Sequence, residues 1–232
     1  MKKVGIVGGM GPESTIDYYR SLVARYRECV HDGSYPCIIV NSIDLKRMLD
    51  GVAEGDLAGV ADYLVEAVEL LARAGADFGL LAANTPHVVF DEVSRRATIP
   101  LISIVETACA AAKATDRKRL GLFGTRFTMQ GRFYPDVFSR AGIQLVVPNA
   151  SEQAWIHEKY MRELVNGVFR PETRAALLAI VERLLERDGI DGLLLAGTEL
   201  PLILRQGSHN GVPFLDTTRI HVERAIEELL RH

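Results

Sequence analysis

The chain has 232 residues, 48% of them hydrophobic and 25% charged, so it can bury a substantial core as one large domain or as two of about 115 residues. A net charge of −3, with no Lys/Arg-rich tract, argues against a nucleic-acid partner, which would need a basic surface to neutralise phosphates. Apolar runs such as 80–83 and 193–196 fall far short of the roughly 18 residues that span a bilayer, and glycines and Pro12 interrupt the start MKKVGIVGGMG before a signal-peptide core can form. The expected location is the cytoplasm, with no membrane partner.

In chain order, KVGIVG (3–8), PCIIVNS (36–42), FGLLAA (78–83), PLISI (100–104), RLGLFG (119–124), IQLVVP (143–148), GLLLAG (192–197) and PFLDT (213–217) are short β-branched or leucine runs bounded by Gly, Pro or polar residues. They read as buried strands. Segment 56–74 between them predicts a helix, because Leu57, Val60, Leu64, Val68 and Leu71 recur at three- and four-residue steps and Gly75 offers a stop. Pro171-Glu172-Thr173 opens another, with Leu177, Val181 and Leu184 on its apolar stripe and Asp188-Gly189 at its end. Strands alternating with such helices imply an α/β fold with mainly parallel sheets. Cys29, Cys37 and Cys109 have no CxxC spacing; they suggest neither disulfides nor a metal site and read as reduced structural thiols.

A repeat organises these elements. ADFGLLAANTP (76–86) superposes on IDGLLLAGTEL (190–200) with Ala83 on Gly197, VGIVG (4–8) matches LGLFG (120–124), and IPLISI (99–104) matches VPFLDT (212–217). Three matches in order at nearly constant offset predict two pseudosymmetric α/β domains, each a mainly parallel sheet flanked by helices. The expected boundaries are 1–103 plus 212–232 for the first domain and 104–211 for the second. Ligands of open parallel sheets sit beyond the carboxyl ends of the strands, so the expected active site is a cleft between the two domains.

The polar clusters lie at those strand ends. GGMGPES (8–14) has Ser14 where a dinucleotide fingerprint needs a third glycine, and Asn41-Ser42 where an acidic residue should end the second strand. Its glycines read either as a tight strand-to-helix turn or as a backbone site for a small anion. In GTRFTMQ (124–130), Thr125 and Thr128 are N-cap candidates or ligand donors. With Asn84, Thr85, Thr198 and Glu199 they form a set that suits a small carboxylate better than a nucleotide. His87 is either structural or a residue of the cleft. Asp216, Thr217 and Thr218 look like caps of the last helix, with His221 one turn inside it. His157 and Lys159 lie on a polar flank or a solvated helix face.

GGMGPEST-x-x-YY, NTPH, GTRFTM followed by FY, GTELPLIL and DTTRIH, in this order and spacing, resemble the aspartate/glutamate racemase family, in its aspartate racemase and broad amino-acid racemase branch. The resemblance runs from Met1 to about Ala225. It implies a cofactor-independent, metal-free homodimer of two pseudosymmetric domains acting on a small-molecule carboxylate or amino acid. It also implies two-base chemistry, in which cysteines on opposite faces of the substrate exchange the α-proton. Here the two cysteine positions read Ala83 and Gly197.

The substrate-binding parts implied by the resemblance are Met10, Gly11, Asn84, Thr85, Thr125, Thr128, Lys159 and Thr198, with His87 and Glu199 as the nearest replacement bases. The expectation is an amino-acid racemase-like isomerase that needs no pyridoxal phosphate and binds a small acidic amino acid or related carboxylate. The alternatives are a decarboxylase or dehydratase acting on a small carboxylic acid, and a non-catalytic ligand-binding homologue. The region expected to set specificity is 41–48 with Lys159 and its neighbours; Lys46, Arg47 and Arg126 are the candidates for clamping a second carboxylate, and each reads more readily as a solvated surface charge.

Overall fold

A computed structural model describes residues 2–231. The chain divides into two compact units, Met1–Ile104 with Thr218–His232, and Val105–Thr217. The first contains β1 (Lys3–Gly8), α1 (Pro12–Cys29), β2 (Cys37–Ser42), α2 (Leu45–Glu54), α3 (Leu57–Arg73), β3 (Phe78–Leu81), a 3₁₀ turn over Thr85–Val89, α4 (Phe90–Arg96) and β4 (Leu101–Ile102). Its four strands are parallel in the order β2-β1-β3-β4.

Successive residues of a strand face opposite sides of a sheet, and this unit uses both sides. Val7 and Leu81 pack with Val60, Leu64, Val68 and Leu71 of α3. Their neighbours Ile6 and Leu80 pack with Tyr18, Leu22 and Tyr26 of α1 and with Val222, Ala225, Ile226 and Leu229 of the C-terminal helix, Thr217–Leu229. Burial on both faces is why these strands read as continuous apolar runs rather than alternating ones. Asp56 caps α3 by accepting from the Gly59 N–H, and Pro12 occupies the first turn of α1, where no amide donor is needed.

The second unit follows the same plan. It holds α5 (Ile104–Ala114), β5 (Arg119–Gly124), α6 (Arg126–Gln130), α7 (Phe133–Arg140), β6 (Gln144–Val146), α8 (Ala150–Arg162), α9 (Pro171–Asp188), β7 (Gly192–Ala196), α10 (Leu200–Ile203), β8 (Ser208–His209) and β9 (Val212–Asp216). The sheet order is β6-β5-β7-β9-β8, parallel except for β8 against β9. Stripping off β8 leaves the topology of the first sheet, with β9 in the place of β4, as the sequence repeat requires. Asn149 and Glu152 form a reciprocal capping box on α8, and Gly189 ends α9 in the left-handed region. Among the described residues no helix is long and apolar enough to cross a membrane.

Two expectations need correction. Segment 212–217 belongs to the second unit rather than the first, because Phe214, Leu215 and Asp216 pair with Leu193, Leu194 and Leu195 of β7; the chain passes to the first unit only where the C-terminal helix begins. Cys29 and Cys37 are exposed, and of the three cysteines only Cys109 is buried in the manner of a structural thiol.

Candidate active site

In the first unit the candidate residues gather at the carboxyl ends of β1 and β3. Gly9 has φ +85°, and a Cβ there would lie 2.3 Å from the Ile43 carbonyl oxygen, so the turn after β1 admits only glycine. The Gly9 N–H donates to Thr15 Oγ1 at 2.8 Å, and Thr15 Oγ1 donates to the Gly11 carbonyl at 3.2 Å. Ser14, the residue that spoils a dinucleotide fingerprint, is fully buried and donates to the Ala82 carbonyl at 2.8 Å. It fastens α1 to the end of β3, beside Ala83 and Asn84. Ser14→Ala should therefore lower stability by about 1–2 kcal/mol by stranding that carbonyl; urea unfolding measures it, and a loss within a few tenths of zero would remove the assigned role.

His87 has a task different from the base expected of it. Its Nδ1 donates to the Ala83 carbonyl at 3.0 Å and its Nε2 accepts the Ile104 N–H at 3.2 Å, while the ring stacks on Phe90 at 4.8 Å. Both nitrogens are thus committed to backbone. Burial, with His221 nearby, pushes its pKa down to about 3, so the neutral tautomer is fixed. His221 is held likewise: its Nε2 donates to the Ile102 carbonyl at 2.9 Å, Tyr18 donates to Nδ1 at 2.8 Å, and burial lowers its pKa to about 4. Lys46 is exposed and paired with Asp50, and the Arg47 guanidinium lies 4.0 Å from the centre of the Tyr63 ring. Both charges serve α2 and its neighbour α3.

In the second unit the residues gather at the ends of β5 and β7. Thr125 caps α6 by accepting from the Thr128 N–H, and the two buried hydroxyls lie 3.3 Å apart. Arg126 is exposed, and its backbone N–H donates to His157 Nδ1 at 3.3 Å. Lys159 pairs with Glu163 at 2.6 Å, and Thr173 donates to the other oxygen of that carboxylate. The amine expected on a substrate is thereby engaged within its own helix. Thr217 is less a cap than a tie, donating to the Leu195 carbonyl at 2.8 Å.

The residue that sequence reasoning passed over is Tyr160. It donates to Glu199 Oε2, which also receives the Thr198 hydroxyl at 2.9 Å. All three side chains are buried, Glu199 to 1% exposure. Burial, with the neighbouring carboxylate, holds the phenol well above its usual pKa. A Cβ on Gly197 would lie 2.5 Å from Tyr160 Cε2 and 2.9 Å from its hydroxyl, so the ring fills the space a side chain at 197 would take. The register of α8 carried a signal, since Ile156 and Tyr160 are one turn apart on its buried face.

Comparison with known proteins gives a consistent result. A family model described as Asp/Glu/Hydantoin racemase matches residues 7–225. The broad specificity amino-acid racemase RacX of Bacillus subtilis (strain 168) is 24% identical over 238 residues, covering 99% of both chains. The crystal structure of PH1733, an aspartate racemase homologue from Pyrococcus horikoshii OT3, superposes with a TM-score of 0.85 at 34% identity over 100% of both chains. A putative Asp/Glu racemase from Yersinia pestis does so with a TM-score of 0.88 at 30% identity, also over 100% of both.

Proposed function

The chain belongs to the Asp/Glu/hydantoin racemase family, and on that premise we propose that it is an amino-acid racemase-like isomerase, independent of pyridoxal phosphate, whose substrate is a small acidic amino acid or related carboxylate. The observation that carries the proposal is the buried polar set Asn84, Thr85, Thr128, Thr198 and Glu199 at the strand ends, in a chain aligned end to end with a broad specificity racemase. A bound carboxylate and ammonium would use donors and acceptors of these types. Met10, Gly11, Asn84, Thr85, Thr125, Thr128 and Thr198 are assigned to ligand binding. Lys159, held by Glu163, is assigned to orienting α8.

The thiols expected at 83 and 197 are absent, so a racemising chain must move the α-proton with other groups. His87 is excluded by its two backbone bonds, which leaves Glu199 from the original candidates. The test is incubation with L- and D-aspartate and L- and D-glutamate in D₂O, followed by ¹H NMR and chiral chromatography. Exchange at Cα with inversion is the expected result. Release of CO₂ or ammonia would replace the isomerase with a lyase, and tight binding of unchanged substrate would replace it with a ligand-binding protein.

A further inference from the structure

We propose that Tyr160 and Glu199 together form the proton-transfer group of this site, the phenol presenting its oxygen to the substrate and the carboxylate holding the proton behind it. The inference rests on the functional reading above and names the chemical group that reading lacks.

Three observations lead to it. The described residues include three buried carboxylates, Glu152, Glu163 and Glu199. The first is met by Arg183 at 2.6 Å and the second by Lys159 at 2.6 Å, an arrangement suited to structural ion pairs. Glu199 is met by two hydroxyls, Tyr160 and Thr198, on a single oxygen. A carboxylate buried to 1% exposure and bonded to hydroxyls, one of them on Tyr160 of the apolar cluster that also holds Phe123, Met129, Leu195 and Leu200, is a pattern found where proton transfer is needed.

The second observation is position. The pair stands at the carboxyl end of β7, where α/β sheets place their ligands. The Tyr160 hydroxyl lies 2.9 Å from where a Cβ of residue 197 would be, so the phenol offers an oxygen close to the place a side chain at 197 would have offered its own atom. The third is the state of the alternatives: the imidazoles of His87 and His221 are both locked to backbone or to Tyr18.

The step balances without another reagent. The Cα–H bond breaks and its electron pair remains on the substrate as an enediolate; Tyr160 Oη takes the proton as its own passes to Glu199 Oε2. Return of the proton from Glu199 through Tyr160 restores the original face, with solvent exchange at the carboxyl group labelling it; delivery of a proton from solvent water to the opposite face of the enediolate, with the Glu199 proton released to solvent in its place, gives inversion.

The test uses Tyr160→Phe, which keeps the ring beside Gly197 and removes only the hydroxyl, together with Glu199→Gln. Deuterium incorporation at Cα of L- and D-aspartate and glutamate should fall by about 100-fold or more in each variant, the usual scale for losing a general acid or base. Binding of the same acids by calorimetry should change less than about threefold, and the thermal midpoint of Tyr160→Phe should fall by about 10 °C or less, leaving the protein folded at assay temperature. A Tyr160→Phe protein that exchanges within threefold of wild type overturns the inference and leaves the isomerase standing. Wild-type protein that binds these acids without exchanging them also overturns it. Loss of binding and exchange together in Tyr160→Phe shows a binding role instead. Wild-type protein that neither binds nor exchanges overturns the functional reading itself.

Discussion

Replacing Gly197 by alanine is expected to destabilise the protein by about 3 kcal/mol, and replacing it by cysteine by more. The backbone does not demand glycine here, since Gly197 is absent from the glycines with positive φ. The demand comes from Tyr160, whose Cε2, hydroxyl and Cζ would lie 2.5, 2.9 and 3.1 Å from the new Cβ. Contacts that short cannot persist, and the ring is not free to swing, being buried to 4% exposure and bonded to Glu199. Overpacking a tight core costs about 1–3 kcal/mol. If the ring moves far enough to leave Glu199, a charge-assisted hydrogen bond worth roughly 1.5–3 kcal/mol goes with it. Restoring a thiol at 197 in the otherwise native sequence therefore should not restore a second base; it should damage the fold first.

The partner substitution isolates the cause. Tyr160→Leu removes the far end of the ring, so Gly197→Cys on that background should cost about 1–2 kcal/mol less than it does alone, a coupling of the size seen between residues in contact. Urea unfolding of the two single variants and the double variant measures it. Strict additivity would show that the ring yields without cost and that the glycine is there for another reason.

The sequence made some of this visible and hid the rest for definable reasons. Eight of the nine strands were legible because they form short apolar runs, unbroken where both faces are buried; the two-residue β8, Ser208–His209, carries no such run. The Ala83/Gly197 correspondence was legible because two units of the same topology repeat the same punctuation. The boundary at 212 was misplaced because a strand's neighbour in a sheet is a long-range fact: PFLDT looks alike whichever sheet receives it. His87 invited a catalytic reading because histidine near pH 7 is versatile. What decides its role is the Ile104 amide, 17 residues away. Tyr160 lay in a segment, IHEKYM, whose His and Lys drew attention, while its meaning depends on a side chain missing from position 197.

The two locked histidines also fix how the protein meets acid. Both are neutral in the fold, with pKa values pushed down to about 3 for His87 and about 4 for His221, chiefly by burial, whereas in the unfolded chain each titrates near 6.5. The unfolded state therefore binds more protons below pH 6.5, and stability must rise with pH through that range. It is level above about pH 7. From 6.5 down to 5 each histidine withdraws roughly 2 kcal/mol, at 1.36 kcal/mol per pH unit, so the pair removes about 4 kcal/mol, a large part of an ordinary domain's 5–15 kcal/mol. The carboxylates held below their usual range, Glu163 by Lys159 and Glu228 by Lys2, act further down: their contributions are complete above their unfolded values and are lost as pH falls below about 4.5. The interval between pH 7 and 5 thus isolates the histidines. Urea unfolding at pH 7.5, 6 and 5 should show the loss, and His221→Asn should flatten the slope even though it weakens the fold at pH 7.5, with His87 and the partly buried His157, which burial also holds below its usual range, accounting for what remains. A curve flat from 7.5 to 5 would mean that the imidazoles accept protons in place, which the Ile104 amide donating to His87 Nε2 opposes directly and the burial of His221 opposes by desolvation.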